Sequence, residues 1–179
     1  MPKTSVPGWR AGSPGTPGKM AVTSDIVESW HHPRRVVQRH LSRERSEAFV
    51  FTFLFVFLLL SFVALWPGQA RAAFEAKNQP LSPRLLAVAL ALLATVPLWY
   101  GLAALSHLMA RVLGGQGDFY RARVALFWAL VVVSPGLLLQ GLVAGMIGPG
   151  PQLLLVQIVI SLAFLVLWLS MLREAERKP

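Results

Sequence analysis

Four long apolar stretches, none of which contains a charged side chain, constrain this chain more than any other feature of its sequence. They cover the ranges 48–66, 85–105, 124–147 and 152–172. At about 1.5 Å per residue, a helix of this length crosses the roughly 30 Å hydrocarbon core of a bilayer. Only 14% of the residues are charged, whereas a soluble domain has about a quarter. We therefore predict an all-α, polytopic membrane protein with a bundle of four transmembrane helices over residues 48–172.

Glycine and proline mark where these spans end or bend. Pro67-Gly68 is predicted to end the first helix, and a loop follows as far as Ser82-Pro83, a pair typical of a helix start. Pro97 is predicted to kink the second helix, and Gly114 is predicted to stop it. The tight turn Gly148-Pro149-Gly150-Pro151 returns the fourth span antiparallel to the third.

The segments that flank the spans are polar and charged. Residues 1–22 are rich in Pro, Gly, Ser and Thr, so we predict a disordered tail, or alternatively a translation start at Met20. In residues 23–47 the apolar side chains recur at helical spacing on one face and the arginines line another face. Pro33 is predicted to kink or restart the helix. This pattern predicts a basic amphipathic helix at the membrane interface. Residues 173–179 are predicted to form a charged tail.

The basic side chains are distributed unevenly between the two sides of the predicted bundle. Of the 17 Lys and Arg residues, only Arg71, Lys77 and Arg84 lie on the side opposite both termini. The positive-inside rule therefore predicts that both termini are cytoplasmic. The preference for Arg, Ala and Leu over Lys and Ile favours a bacterial inner membrane. We expect the basic N-terminal helix to contact anionic headgroups, and we predict no nucleic-acid partner because no recognition motif accompanies the charge.

The spans contain no Asp, Glu, Lys, Arg or His between their interfacial ends. A charge at the bilayer centre costs about 2.5–3.5 kcal/mol on insertion scales, so it is usually kept for function. Its absence argues against a proton pump, an ion-coupled transporter and an intramembrane metalloprotease. Cysteine is absent, and His31, His32 and His40 lack further ligands at metal-binding spacing. We predict no catalytic residue, no metal and no cofactor.

Two pairs inside the spans are open to two interpretations each. Gln140 and Gln157 lie at similar depth on either side of the turn. They predict either an interhelical hydrogen bond worth about 0.6 kcal/mol, which we favour, or a polar site for a small ligand. Gly141 and Gly145 form a small-xxx-small pair. It serves either close packing within the chain, which we favour, or a dimer face.

The most distinctive segment on the predicted cytoplasmic side is 113–123, with the sequence LGGQGDFYRAR. Its glycines adopt backbone shapes closed to other residues, and Asp118 is predicted to cap the next helix. A phosphate-cradling loop would need a Walker or Rossmann spacing after a strand, so we favour a turn between two spans. As a candidate partner-binding surface we name the residues Gly114, Gly115, Gly117, Asp118, Phe119 and Arg121.

The same segment resembles a known family. His107, the pattern Leu113-Gly114-Gly115-x-Gly117-x-Phe119, Arg121 and Pro135 resemble the bacterial branch of the Yip family, named for Ypt/Rab GTPase-interacting membrane proteins. The resemblance covers roughly residues 26–172. It implies a multispan, non-enzymatic protein that binds partners in membrane traffic and membrane shaping. The chain lacks the Asp-Leu-Tyr-Gly-Pro signature of eukaryotic members and has four spans where five are common, so Rab binding is not carried over.

Together these features predict a non-enzymatic protein that organises partners or lipid at the membrane. The alternative is a small-solute permease or an accessory subunit of a transport complex, which the proline kinks and the glutamine pair favour. An intramembrane enzyme ranks lowest, because its only candidate groups, His107, Arg111 and Asp118, lie at the predicted cytoplasmic edge.

Overall fold

The computed structural model describes residues 21–42, 45–76 and 80–177, and these ranges are almost entirely helical. The helices are α1 (Ala21–His31), α2 (Pro33–Leu41), α3 (Glu47–Glu75), α4 (Leu81–Ala94), α5 (Val96–Val112), α6 (Phe119–Met146) and α7 (Pro151–Ala175). Four segments are long and apolar enough to cross a membrane, namely α3, α4 with α5, α6 and α7. The predicted all-α, four-span fold is confirmed. Residues 1–20 of the predicted disordered tail lie outside the described residues. The last two residues of the predicted tail, Ala21 and Val22, instead begin α1.

Helix α3 continues past the point where the first span was predicted to end. Pro67 lies inside this helix, which reaches Glu75. A proline removes one helical hydrogen bond but does not have to end a helix whose next turns are held by tertiary contacts. Here Gly68 faces Ala144 of α6, and Arg71 Nη1 donates to the carbonyl oxygen of Met146 at 3.1 Å. The predicted helix end at Pro67-Gly68 was therefore wrong.

The second span is interrupted near the predicted kink at Pro97. Helices α4 and α5 meet at Thr95, whose Oγ1 donates to the carbonyl oxygen of Leu92 at 2.6 Å. The same hydroxyl accepts a hydrogen bond from Trp99 Nε1 at 3.1 Å. The Thr95 hydroxyl thus connects the end of α4 with the first turn of α5. The helix begins at Leu81, ahead of the predicted cap.

Helix α6 forms the centre of the bundle, and its most extensive packing is against α3. Residues 124–134 of α6 are buried almost completely. A Cβ on Gly141 would overlap the carbonyl oxygen of Ala64, and a Cβ on Gly145 would press on Pro67. The small-xxx-small pair therefore brings α6 against α3 within one chain, which confirms the intramolecular interpretation.

The N-terminal helices α1 and α2 pack on the bundle, with the chain restarting at Pro33 as predicted. Val36 and Val37 of α2 are buried, and α2 contacts both α6 and α7. Trp128 of α6 donates from Nε1 to Ser29 Oγ of α1 at 3.0 Å. The apolar face of α2 thus covers protein, whereas Val27 and Trp30 of α1 are exposed. The location of this region at the membrane interface stays a prediction.

Candidate functional site

Three segments that are distant in sequence meet at one end of the bundle, here termed the loop end. They are α1 with α2, the loop 113–118 between α5 and α6, and residues 173–177 at the end of α7. Helix α2 packs against α7, and the loop hydrogen-bonds to the same C-terminal residues. The predicted partner-binding loop is therefore one part of a composite surface.

The glycines of the loop permit the close approach of the chain's own C-terminal segment. Gly117 N donates to Glu176 Oε2 at 3.0 Å, and Gln116 N donates to the Glu176 carbonyl oxygen at 3.0 Å. A Cβ on Gly117 would lie 2.7 Å from the Ala175 carbonyl oxygen, and a Cβ on Gly115 would lie 2.8 Å from Glu176 Oε2. The loop thus holds a carboxylate of the same chain where a phosphate-cradling loop would hold its ligand.

Gly114 has a different role, because its requirement is conformational. Its φ is 91°, in the left-handed region that favours glycine, and a Cβ there would meet nothing within 4 Å. It follows the last turn of α5, where Gly115 N donates to the carbonyl oxygen of Ala110 at 2.9 Å. This geometry confirms the predicted helix stop at Gly114.

His107 and Glu176 form a buried pair beneath the loop. His107 Nδ1 lies 2.7 Å from Glu176 Oε1, and the two side chains are 4% and 5% exposed. The Phe119 ring covers the imidazole at a centroid distance of 4.4 Å. Removing either member would leave a buried polar group without its partner, which is strongly destabilising. Sequence reasoning named His107 but missed Glu176, which it assigned to a charged tail.

A second buried carboxylate, that of Glu174, connects α7 with α2. Gln38 Nε2 donates to Glu174 Oε1 at 2.5 Å. Arg177 Nη1 donates to the other oxygen, Oε2, at 3.3 Å. The C-terminal residues are thereby held by the N-terminal helices as well as by the loop, so all three segments of the loop end are connected through them.

The two N-terminal helices are joined to each other by Arg39. Its Nη1 donates to Asp25 Oδ1 at 2.6 Å, and its Nη2 donates to Glu28 Oε2 at 3.0 Å. The hydrogen bond to Glu28, together with the negative charges of Glu28 and Asp25, raises the pKa of Arg39. The acidic side chains of α1 therefore serve contacts within the chain.

Asp118 lies at the N-cap position of α6, but its side chain makes no capping hydrogen bond. Its Oδ2 accepts instead from Arg45 Nη1 at 2.6 Å. The Arg45 guanidinium also lies 5.8 Å from the centroid of the Tyr120 ring, whose hydroxyl accepts from Ser46 N at 3.2 Å. The predicted capping role was wrong, because the ion pair takes the carboxylate and joins the start of α3 to the start of α6.

The predicted partner-binding residues differ in exposure. Gly114 and Phe119 are exposed, whereas Gly115, Gly117, Asp118 and Arg121 are half-buried. Sequence reasoning missed Val112 and Leu113 as surface candidates, although each is 85% exposed. Both lie at the end of the helical pattern that continues from the second predicted span, so they read as part of it. Which of these residues contacts a partner stays a prediction.

At the opposite end, here termed the turn end, a cavity of about 590 Å³ lies between α3, α6 and α7. Gln140 and Gln157 both line it, together with Ser61. Among the described residues no hydrogen bond joins the two amides. The predicted polar pair is thus brought to one cavity, and its role stays a prediction.

Comparison with known proteins places most of the chain in one family. A family model described as Yip1 domain matches residues 27–178, a range that includes the four spans and all of the loop end except the first turns of α1. No curated protein and no solved structure matches the chain.

Proposed function

The chain belongs to the Yip family of membrane proteins, and from that premise we propose that it organises protein partners at a membrane through its loop end. The family is a non-enzymatic membrane family, and the four apolar helices of this chain make it a multi-pass membrane protein. We infer non-enzymatic character for this chain as well. The contacts of Glu176 with His107 and with the Gly117 amide support this inference, because they give the buried carboxylate a structural role.

The observation that carries the proposal is a set of exposed apolar side chains beside a groove. Val112 and Leu113 are each 85% exposed. A groove of about 590 Å³ opens beside them between α5 and α7, with apolar walls that include Leu105, Met109 and Leu172. Exposed apolar side chains on a span contact lipid by default, but Leu113 lies just past the end of α5, in a groove that Arg173 and Glu176 also line. At such a polar edge an exposed apolar patch suits contact with a protein partner.

The loop end presents this surface on a fixed frame. The contact of Gly117 with Glu176 fastens the loop to the C-terminal segment. The contact of Gln38 with Glu174 fastens the N-terminal helices to the same segment. A preorganised surface loses less conformational entropy on binding, which favours recognition of a partner.

Basic residues support a cytoplasmic location of the loop end in a bacterial inner membrane. Arg34, Arg35 and Arg173 are exposed there, where they suit contact with anionic headgroups. Because the chain has no cysteine, single cysteines test this topology directly. We expect an impermeant thiol reagent on intact cells to label Glu75→Cys and to spare Gln116→Cys. The reverse labelling pattern would refute the orientation.

The partner proposal is tested by crosslinking and co-purification from native membranes. The test variant carries Val112→Ser and Leu113→Ser, which leave the buried loop contacts in place. The matched control carries Met146→Ser and Ile147→Ser, an exposed apolar pair at the turn end. We expect the partner yield to fall about tenfold or more in the test variant alone, because two apolar side chains no longer bury their surface in the interface. Equal yields in both variants would refute the proposal.

A small-solute permease is the second candidate, and the cavity lined by Gln140 and Gln157 is the observation in its favour. Against it, residues 124–134 of α6 are buried almost completely between this cavity and the loop end. In this structure that core separates the cavity from the loop end. Flux of small neutral solutes into proteoliposomes tests this candidate, and a saturable flux would raise it above the partner proposal.

A further inference from the structure

The cavity at the turn end is a groove with apolar walls. Helices α3 and α7 both pack against α6 but make little contact with each other, so α6 forms the floor between them. Phe57, Leu65, Leu137 and Leu153 contribute the apolar lining. The volume of about 590 Å³ falls within the roughly 300–1,000 Å³ of typical ligand sites.

Polar groups interrupt these walls within the predicted spans. Ser61 is 7% exposed, and its Oγ is buried without a hydrogen-bond partner. Gln140 and Gln157 line the same cavity from α6 and α7. Neither glutamine amide makes a hydrogen bond within the described residues. An amide without a partner at this depth is unfavourable, so this geometry favours an occupant that brings hydrogen-bonding groups there.

The mouth of the groove carries two opposite charges. Arg71 Nε donates to Glu75 Oε1 at 2.8 Å, and Arg71 Nη1 donates to the Met146 carbonyl oxygen at 3.1 Å. The side chains of Arg71 and Glu75 line the cavity. The hydrogens on Arg71 Nη2 take part in neither of these two bonds, so they can donate to a ligand. A purely anionic headgroup would be repelled by Glu75, whereas a zwitterion has a counterpart for each charge.

From this order of groups we propose that the groove binds one zwitterionic phosphoglyceride of the surrounding bilayer. An acyl chain lies along Phe57 and Leu137, and the ester carbonyls accept hydrogen bonds from the amides of Gln140 and Gln157. The phosphate meets Arg71 and the ammonium meets Glu75. A hydrophilic solute would leave the apolar walls uncovered, and a hydrocarbon chain alone would leave the polar groups unpartnered.

This inference goes beyond the proposed function and is independent of it, because the groove and the loop end lie at opposite ends of the bundle. It is tested by native mass spectrometry of the full-length protein in mild detergent. The added probes are phosphatidylethanolamine and phosphatidylglycerol with identical chains. We expect one phosphatidylethanolamine bound per chain, with phosphatidylglycerol bound more weakly.

Two test variants probe the groove. The first carries Ser61→Ala, Gln140→Leu and Gln157→Leu, which removes the three uncharged polar side chains named above. We expect about a tenfold loss of bound lipid, as for the loss of the two weak hydrogen bonds from the amides. The second, Leu153→Trp, fills the groove without removing a polar group and is expected to exclude the lipid as well. A thermal unfolding curve for each variant shows that it is folded.

Matched controls change the same residue types outside the groove. They are Ser170→Ala, whose hydroxyl donates to the Leu167 carbonyl oxygen, and Gln152→Leu at the exposed start of α7. Lipid binding unchanged in the controls and lost in both test variants supports the proposal. Equal binding in all proteins, preference for phosphatidylglycerol, or a second protein copy in place of the lipid would overturn it.

Discussion

Helices α3 and α6 differ from helices α4 and α5 in their surroundings far more than in their apolar character. In its most apolar stretch of 18 residues α6 has 56% of its residues buried within the protein, whereas the most apolar stretch of the same length in Leu81–Val112 has 0%. Lipid tails are as apolar as leucine, so hydrophobicity does not drive one span against another. Instead, small residues let two helices pack closely, and α6 has such residues, Gly141 and Gly145, where it crosses α3.

The largest effect that would sharpen this comparison is expected at Gly141. Gly141→Leu places a side chain where Ala64 already lies, and we expect it to lower the free energy of unfolding by more than about 3 kcal/mol. Gly101→Leu is the matched control in α5, because a Cβ there meets nothing within 4 Å. Unfolding of both variants in the same detergent measures the difference. Equal losses would show that the packing of α3 on α6 is not special.

The next largest effect concerns a buried carboxylate and an exposed one. Glu176→Ala removes the partner of His107 and of the Gly117 amide, and we expect a loss of about 2–3 kcal/mol. Glu75→Ala removes a carboxylate whose side chain is 58% exposed, and we expect less than about 0.5 kcal/mol. Unfolding curves at one pH measure both changes. If Glu176→Ala lowered the free energy of unfolding only slightly, the C-terminal segment would not be what holds the loop in place.

A smaller effect is expected where the N-terminal helices meet α6. Trp128→Phe removes the hydrogen bond from Nε1 to Ser29 and leaves a small void, so we expect a loss of about 1–2 kcal/mol. Trp66→Phe is the control, since Trp66 is 46% exposed and its loss is expected to stay below about 0.5 kcal/mol. Hydrogen exchange of α1 and α2 should increase only in the first variant. Unchanged exchange in both would mean that α1 is held by other contacts.

The smallest effect is expected for the ion pair of Arg45 with Asp118, whose side chains are 69% and 41% exposed. A double-mutant cycle with Arg45→Gln and Asp118→Asn should give a coupling energy of about 0.2–1 kcal/mol, because solvent screens an exposed pair. The coupling should decrease in high salt. A larger coupling that salt does not change would show that this pair belongs with the buried contacts.

The arrangement of the spans was less predictable than their number. The glycine pair of α6 was correctly assigned to packing within the chain, yet nothing in the sequence marked α6 as the central helix. Pro67 was expected to end a helix because local propensity disfavours proline there. Contacts of Gly68 and Arg71 with α6 hold the helix beyond it, and such contacts are invisible to local reasoning.

The sequence by itself determined that the chain is a helical membrane protein and that the glycines of 113–118 form a turn between two spans. Span length, absence of charge and glycine spacing are local properties, and the thickness of the bilayer sets a fixed standard for them. Only the tertiary structure decided that Glu176 occupies the glycine loop and that Ser61, Gln140 and Gln157 share one cavity. Such pairings join residues from different helices, and their side chains meet only once the helices are packed in a particular order and register.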